Sequence, residues 1–167
     1  MPKIIGTSAG GGLGAPIAYS NMENTSGISG IRGIIKTANE TVNNSTVMQD
    51  DDALVIAVEA NARYSFLLML SIQIKAASDF KYQFTVPAST TLVGQMSPDA
   101  SSDASSDLTA ATVFLVAGNK TLLILTYGRL ITASTAGNCQ LQWAQNTAAV
   151  EDTIVEQGSF IQILRLS

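Results

Sequence analysis

From about residue 46 onward, apolar residues recur at every second position. In "FKYQFTVP" (80–87), Phe80, Tyr82, Phe84 and Val86 share one parity, while Lys81, Gln83 and Thr85 take the other. In "ARYSFLLMLSIQIKAA" (62–77), Tyr64, Phe66, Leu68, Leu70, Ile72 and Ile74 share one parity. Successive side chains of a strand point to opposite faces, so this alternation, rich in aromatic and β-branched residues, predicts half-buried antiparallel strands. "ALVIAVEA" (53–60), "ATVFLVA" (111–117), "TLLILTYGRLITAST" (121–135), "NCQLQWAQN" (138–146) and "TIVEQGSFIQILRL" (153–166) read as further strands. Pro87 ends the strand before it, having no N–H for a ladder. Gly118-Asn119-Lys120 reads as a hairpin-sized turn and Ala136-Gly137 as another tight one, and Gly158 as a bulge or bend. About eight antiparallel strands with no long amphipathic helix predict an all-β fold, a jelly roll or another β-sandwich.

The first 45 residues follow a different pattern. They hold most of the glycines and many Ser, Thr and Asn, with no periodicity up to about Ile31. Such a stretch cannot bury enough apolar surface of its own to offset its ordering entropy. Yet Ile4, Ile5, Leu13, Ile17, Tyr19, Ile28 and Ile31 are spaced through it. The reading is an extended N-terminal arm over 1–45, whose apolar residues anchor on a partner, ahead of a β domain over 46–167. Within the arm, Gly10, Gly12 and Ala15 fit the letters of a dinucleotide-binding turn, G-x-G-x-x-A. That turn needs a strand before it, a helix after it and an acid at the end of a second strand. Only Ile4-Ile5 precedes it, and "YSNMENTSGISG" is no helix, so the glycines are read as freedom for a backbone that follows a neighbour's surface.

Composition narrows the function. Hydrophobic residues make up 46% of the 167 and charged residues 13%, which excludes a wholly disordered chain. The net charge is −4 and the nine basic residues are scattered singly, so no nucleic-acid surface is expected. There is no His, which removes the commonest general base and metal ligand. No enzyme activity, cofactor or metal site is therefore expected. The single Cys139 permits no intrachain disulfide and reads as a small buried hydrophobe. The N-terminus has no apolar segment of the secretory kind, and no run approaches the ~18 apolar residues of a membrane span. No membrane partner is expected.

Three polar features remain. "QDDDA" (49–53) reads as solvated carboxylates at a strand entry. "SPDASSDASSDL" (97–108) reads as an exposed loop, with a cation held by Asp99, Asp103 and Asp107 left open as an alternative. Trp143, flanked by Gln140 and Gln142, has two readings. It is core, or it is the centre of a neutral polar interface, since Trp is enriched and charge depleted at such centres. A sugar-binding platform would present the same residues.

The β region also carries a resemblance. "VEANARYSF", "DFKYQFTVP", "LQWAQNT" and "GSFIQILRL", set within residues 46–167, look like a recurring module of tailed-bacteriophage virion proteins. "GSFIQILRL" is also similar to the closing strand of tumour-necrosis-factor and C1q-like jelly rolls. The resemblance implies a jelly-roll capsid decoration (cement) protein, assembled in the host bacterial cytoplasm and carried on the capsid surface of the virion. Its partners would be itself, as a homotrimer, and the major capsid protein, on which the arm would dock. Related modules occur in tails and fibres, so the resemblance equally admits a tail, baseplate or fibre-tip component contacting a host receptor or glycan.

Overall fold

The computed structural model describes residues 30–97, 106–115 and 117–167. Among them are twelve strands and no helix: β1 (Ile31–Ile35), β2 (Glu40–Val42), β3 (Gln49–Val58), β4 (Arg63–Ile74), β5 (Phe80–Thr85), β6 (Thr91–Ser97), β7 (Ser106–Asp107), β8 (Thr112–Phe114), β9 (Lys120–Ile131), β10 (Gly137–Ala144), β11 (Thr153–Val155) and β12 (Phe160–Arg165). They make two antiparallel sheets. The larger runs β1-β12-β4-β9-β6-β7, with β11 beside β12 on the same edge of β4 and β2 outside β11. The smaller runs β3-β10-β5-β8. The all-β sandwich predicted from the period-two pattern is the fold observed.

Alternation places the core between the sheets. Tyr64, Phe66, Leu68, Leu70, Ile72 and Ile74 of β4 are all buried, as are Phe80, Tyr82 and Phe84 of β5. Phe66 meets Phe84 edge-on across the gap, with ring centroids 5.2 Å apart. Edge-to-face pairs contribute about 0.5–1.5 kcal/mol beyond the area they bury. The Tyr82 hydroxyl shares a 2.9 Å hydrogen bond with Thr126 Oγ1 of β9 and donates to Met96 Sδ of β6 at 2.9 Å. The one polar atom at the tip of this ring thus has its partners in the opposite sheet, where an unpaired one would cost about 1–3 kcal/mol.

Most connections from β3 onward cross from one sheet to the other. Strands β8 and β9 lie in different sheets, and so do β9 and β10. Gly118-Asn119-Lys120 and Ala136-Gly137 are therefore arches over the sandwich and not hairpin turns. Crossing keeps each strand's apolar parity facing the gap, where a hairpin would keep both strands in one sheet. The tight bends use left-handed backbone: Asn44 (φ 46°), Asn61 (φ 53°) and Asp79 (φ 50°) supply it between β2 and β3, β3 and β4, and β4 and β5. Asn and Asp tolerate this region better than other side chains because they bond their own backbone. Gly158 (φ 87°) makes the bend that divides the expected last strand into β11 and β12.

The sandwich begins earlier than the sequence pattern indicates. Ile31–Ile35 pairs with β12 and Glu40–Val42 with β11, and Val42 and Lys36 are buried. Residues 31–42, read from sequence as arm, are thus an integral edge of the larger sheet. They escape a period-two search because the strands span five and three residues and β1 is apolar on both parities. Leu108, at the end of the polar 97–108 stretch, is likewise core.

Candidate functional site

The outer faces of the two sheets differ in chemistry. The smaller sheet turns out Gln83, Gln140 and Gln142, whose amides are used locally. Gln83 Nε2 donates to Gln142 Oε1 at 2.8 Å, Gln142 Nε2 to Asp50 Oδ1 at 2.8 Å, and Gln140 Nε2 to the Asp51 carbonyl at 2.8 Å. The middle of this face is thus polar, as in a solvated sheet, with Val113 of β8 as an exposed hydrophobe at its edge.

The larger sheet turns out hydrophobes instead. The register places Phe160 of β12, Met69 of β4 and Leu125 of β9 in one row across three strands, with Ile35 of β1 at its end. The next row holds Gln162, Leu67 and Tyr127, and Leu123 stands opposite Ser71 beyond the first. Leu123 is 58% exposed, Leu125 37%, Tyr127 51%, Ile35 58% and Ile31 43%. Charge lies at the ends: Arg63 and Arg129 toward one, and Glu156 toward the other, with Lys75 and Lys120 beyond it. The Glu156 carboxylate accepts from Ser71 Oγ at 2.5 Å and Gln73 Nε2 at 2.6 Å, and these donors hold its pKa below the ordinary value. A shallow depression of about 370 Å³ continues the face past Tyr127 to Val93, Gln95 and Arg129, over the backbone of the facing Gly94 and Gly128. Tyr127 closes one side, its hydroxyl donating to Gln95 Oε1 at 2.7 Å.

A second cluster is buried where the sheets meet at their β1–β3 side. Lys36 Nζ donates to both Asp51 oxygens at 2.9 Å and to Glu40 Oε2 at 2.6 Å. Asp51 also accepts from the backbone of Ala53 and Leu54 and from Trp143 Nε1 at 3.2 Å. Every charge in this cluster is engaged with protein, and the Lys36 and Asp51 side chains are almost wholly buried, so it reads as a clamp between the sheets. Asp51 corrects the reading of "QDDDA" as three solvated carboxylates.

The residues singled out from sequence separate accordingly. Trp143 is fully buried against Phe80, at 6.0 Å between ring centroids, and so has no surface for a protein or sugar. Gln140 and Gln142 are half-buried and hydrogen-bonded within their own sheet. Ile31 lies in β1, the outermost of the described strands on that side of the larger sheet, opposite Leu164. Ile4, Ile5, Leu13, Ile17, Tyr19 and Ile28 lie outside the described residues, as do Asp99 and Asp103. Asp107 is exposed and accepts from Thr109 N and Oγ1, which lower its pKa. Cys139 is buried, and burial pushes its thiol up to about 12, so it stays protonated at neutral pH. Among the described residues, no group of three or more His, Cys, Asp or Glu converges on a metal position.

Parity alone does not mark Leu67, Met69, Leu123, Leu125 and Tyr127, although the signal is in the chain. "FLLML" and "LLILTY" are apolar on both parities, which a strand facing water on one side avoids. Fold and surface together define an all-β sandwich whose outer faces are glutamine-rich on one sheet and rich in Leu, Met and Tyr on the other. No protein-family model, curated protein or solved structure matches this chain.

Proposed function

We propose that this protein works by assembly: a virion structural protein of the capsid decoration, or cement, type, forming a homotrimer on the outer shell of a tailed-phage capsid. The segment ahead of Ile31 would dock on the major capsid protein. The observation that carries the reading is the apolar outer face of the larger sheet, which suits association. Support for jelly-roll winding comes from the strand order: with β1 and β2 taken as one edge and β11 and β12 as the next, the strands run four to each face, β1-β12-β4-β9 over β3-β10-β5-β8, with β6 and β7 added at one side. Support for the virion setting comes from the resemblance of "VEANARYSF", "DFKYQFTVP", "LQWAQNT" and "GSFIQILRL". The mechanical role would be to clamp neighbouring capsomers, where many weak contacts add up because they are tethered together.

The test is decoration of capsids stripped of this protein. Full-length chain should co-sediment with them, and a chain lacking residues 1–29 should not. Equal decoration by the truncated chain would end the docking role of the arm. Binding should also survive ~0.5 M salt, because at that ionic strength charge pairs are screened within a few ångströms whereas apolar burial is not.

A further inference from the structure

We infer that the outer face of the larger sheet, centred on Met69, Leu125 and Tyr127, is the surface on which a second copy of this chain packs. The inference rests on the self-assembly reading and assigns it a surface. A monomer's largest exposed apolar patch is typically about 300–600 Å². At roughly 200 Å² for a large side chain, the exposures of Leu123, Leu125, Tyr127, Ile31 and Ile35 alone come to about 500 Å². The half-buried Leu67, Met69 and Phe160 between them carry the patch toward the ~800 Å² that each partner contributes to a standard interface. Its composition is that of an interface centre, with aromatic, Met and Leu in the middle and charge kept to the ends.

Two further observations favour a copy of the same chain. Arg129 and Glu156 stand toward opposite ends of this face, and neither forms an ion pair among the described residues. A second copy brings each of them an opposite charge. The surface is also a sheet, and sheets pack face to face by interdigitating rows of large apolar side chains at about 10 Å. The rival within the chain is the segment 1–29. Its apolar residues are sparse, with Gly10, Gly11, Gly12 and Gly14 in the middle, so it has few side chains to fill rows of Leu, Met and Phe.

The experiment is sedimentation equilibrium of the full chain at micromolar concentration, wild type beside the double variant Leu125→Glu/Tyr127→Glu and the milder Leu123→Ser/Tyr127→Ser. All the substituted side chains are solvent-exposed, and circular dichroism and thermal melting verify the fold. The inference expects an oligomeric wild type and variants at the single-chain mass of 17.5 kDa, a threefold drop if the wild type is trimeric. Folded variants that keep the wild-type mass overturn the inference while leaving self-assembly standing. A single-chain wild type overturns self-assembly as well. A wild type that associates only after residues 1–29 are removed places the arm on this face and also overturns the inference.

Discussion

Lys36 holds Asp51 with its ammonium 2.9 Å from both carboxylate oxygens, and the two residues belong to different sheets' margins. Lys36 follows β1 of the larger sheet, while Asp51 lies in β3 of the smaller one and also receives Trp143 Nε1 from β10. Removing the ammonium would leave Asp51 buried without a counter-charge. Lys36→Met should therefore destabilise the fold by about 3–5 kcal/mol, read as a lower urea midpoint. Lys36→Met combined with Asp51→Asn should recover part of that loss, since Asn keeps an acceptor for the Ala53 and Leu54 amides. A single variant within ~1 kcal/mol of wild type, the range of an exposed pair, would show that the clamp carries little stability.

Alkali should destabilise the protein. Burial is the main cause that raises Tyr82 to about 12, with the Thr126 hydrogen bond opposing it, and burial alone raises Cys139 to about 12. Both groups stay protonated in the fold at pH values where the unfolded chain releases their protons. The unfolded state then binds fewer protons, and stability falls as pH rises. The contribution is intact below the ordinary values of 10.0 for Tyr and 9.0 for Cys, and is lost as pH rises through about 12. Urea midpoints across this window should fall steadily, and Tyr82→Phe should flatten the fall at a cost of about 1 kcal/mol for its lost hydrogen bonds. A flat profile in the wild type would contradict the burial of these groups.

Gly128 should resist substitution. Opposite Gly94 in the β6–β9 pair, it would drive an added Cβ into the Val93 carbonyl oxygen and within 2.6 Å of Gly94 Cα. Both obstacles are backbone, so the strands would have to part. Gly128→Ala should cost at least the ~1–3 kcal/mol of an overpacked core and lower the melting temperature accordingly. Gly118→Ala, where the added carbon meets nothing within 4 Å, bears only the strain of φ 88° and should cost less. Equal melting temperatures for the two variants would refute the close approach of β6 and β9.

How much of this was legible in sequence depends on the range of the interaction involved. Period two reported β4 and β5 faithfully, because each side chain's fate there depends on its own parity. It missed β1 and β2, which are strands only because β12 and β11 lie beside them. It could not reveal that Asp51 is buried and Asp50 is not, since that depends on Lys36 across the sandwich. The sequence marks a turn at Gly118, but whether a turn joins neighbours or arches between sheets is decided by where both strands pack. Trp143 suits core or interface by its neighbours in the chain, and only its packing against Phe80 decides between them. The apolar outer face is present in "LLILTY", but an outward-facing Leu and a core Leu are the same letter until the sheet says which side each occupies.

The central claim, that this chain is a shell-bound assembly protein, is tested most directly by a reconstruction of a virion that carries it, with the copies located and counted. The account predicts hundreds of copies at trimeric positions on the outer capsid surface. A handful of copies confined to the tail or fibre tips, or none in the particle, would contradict it.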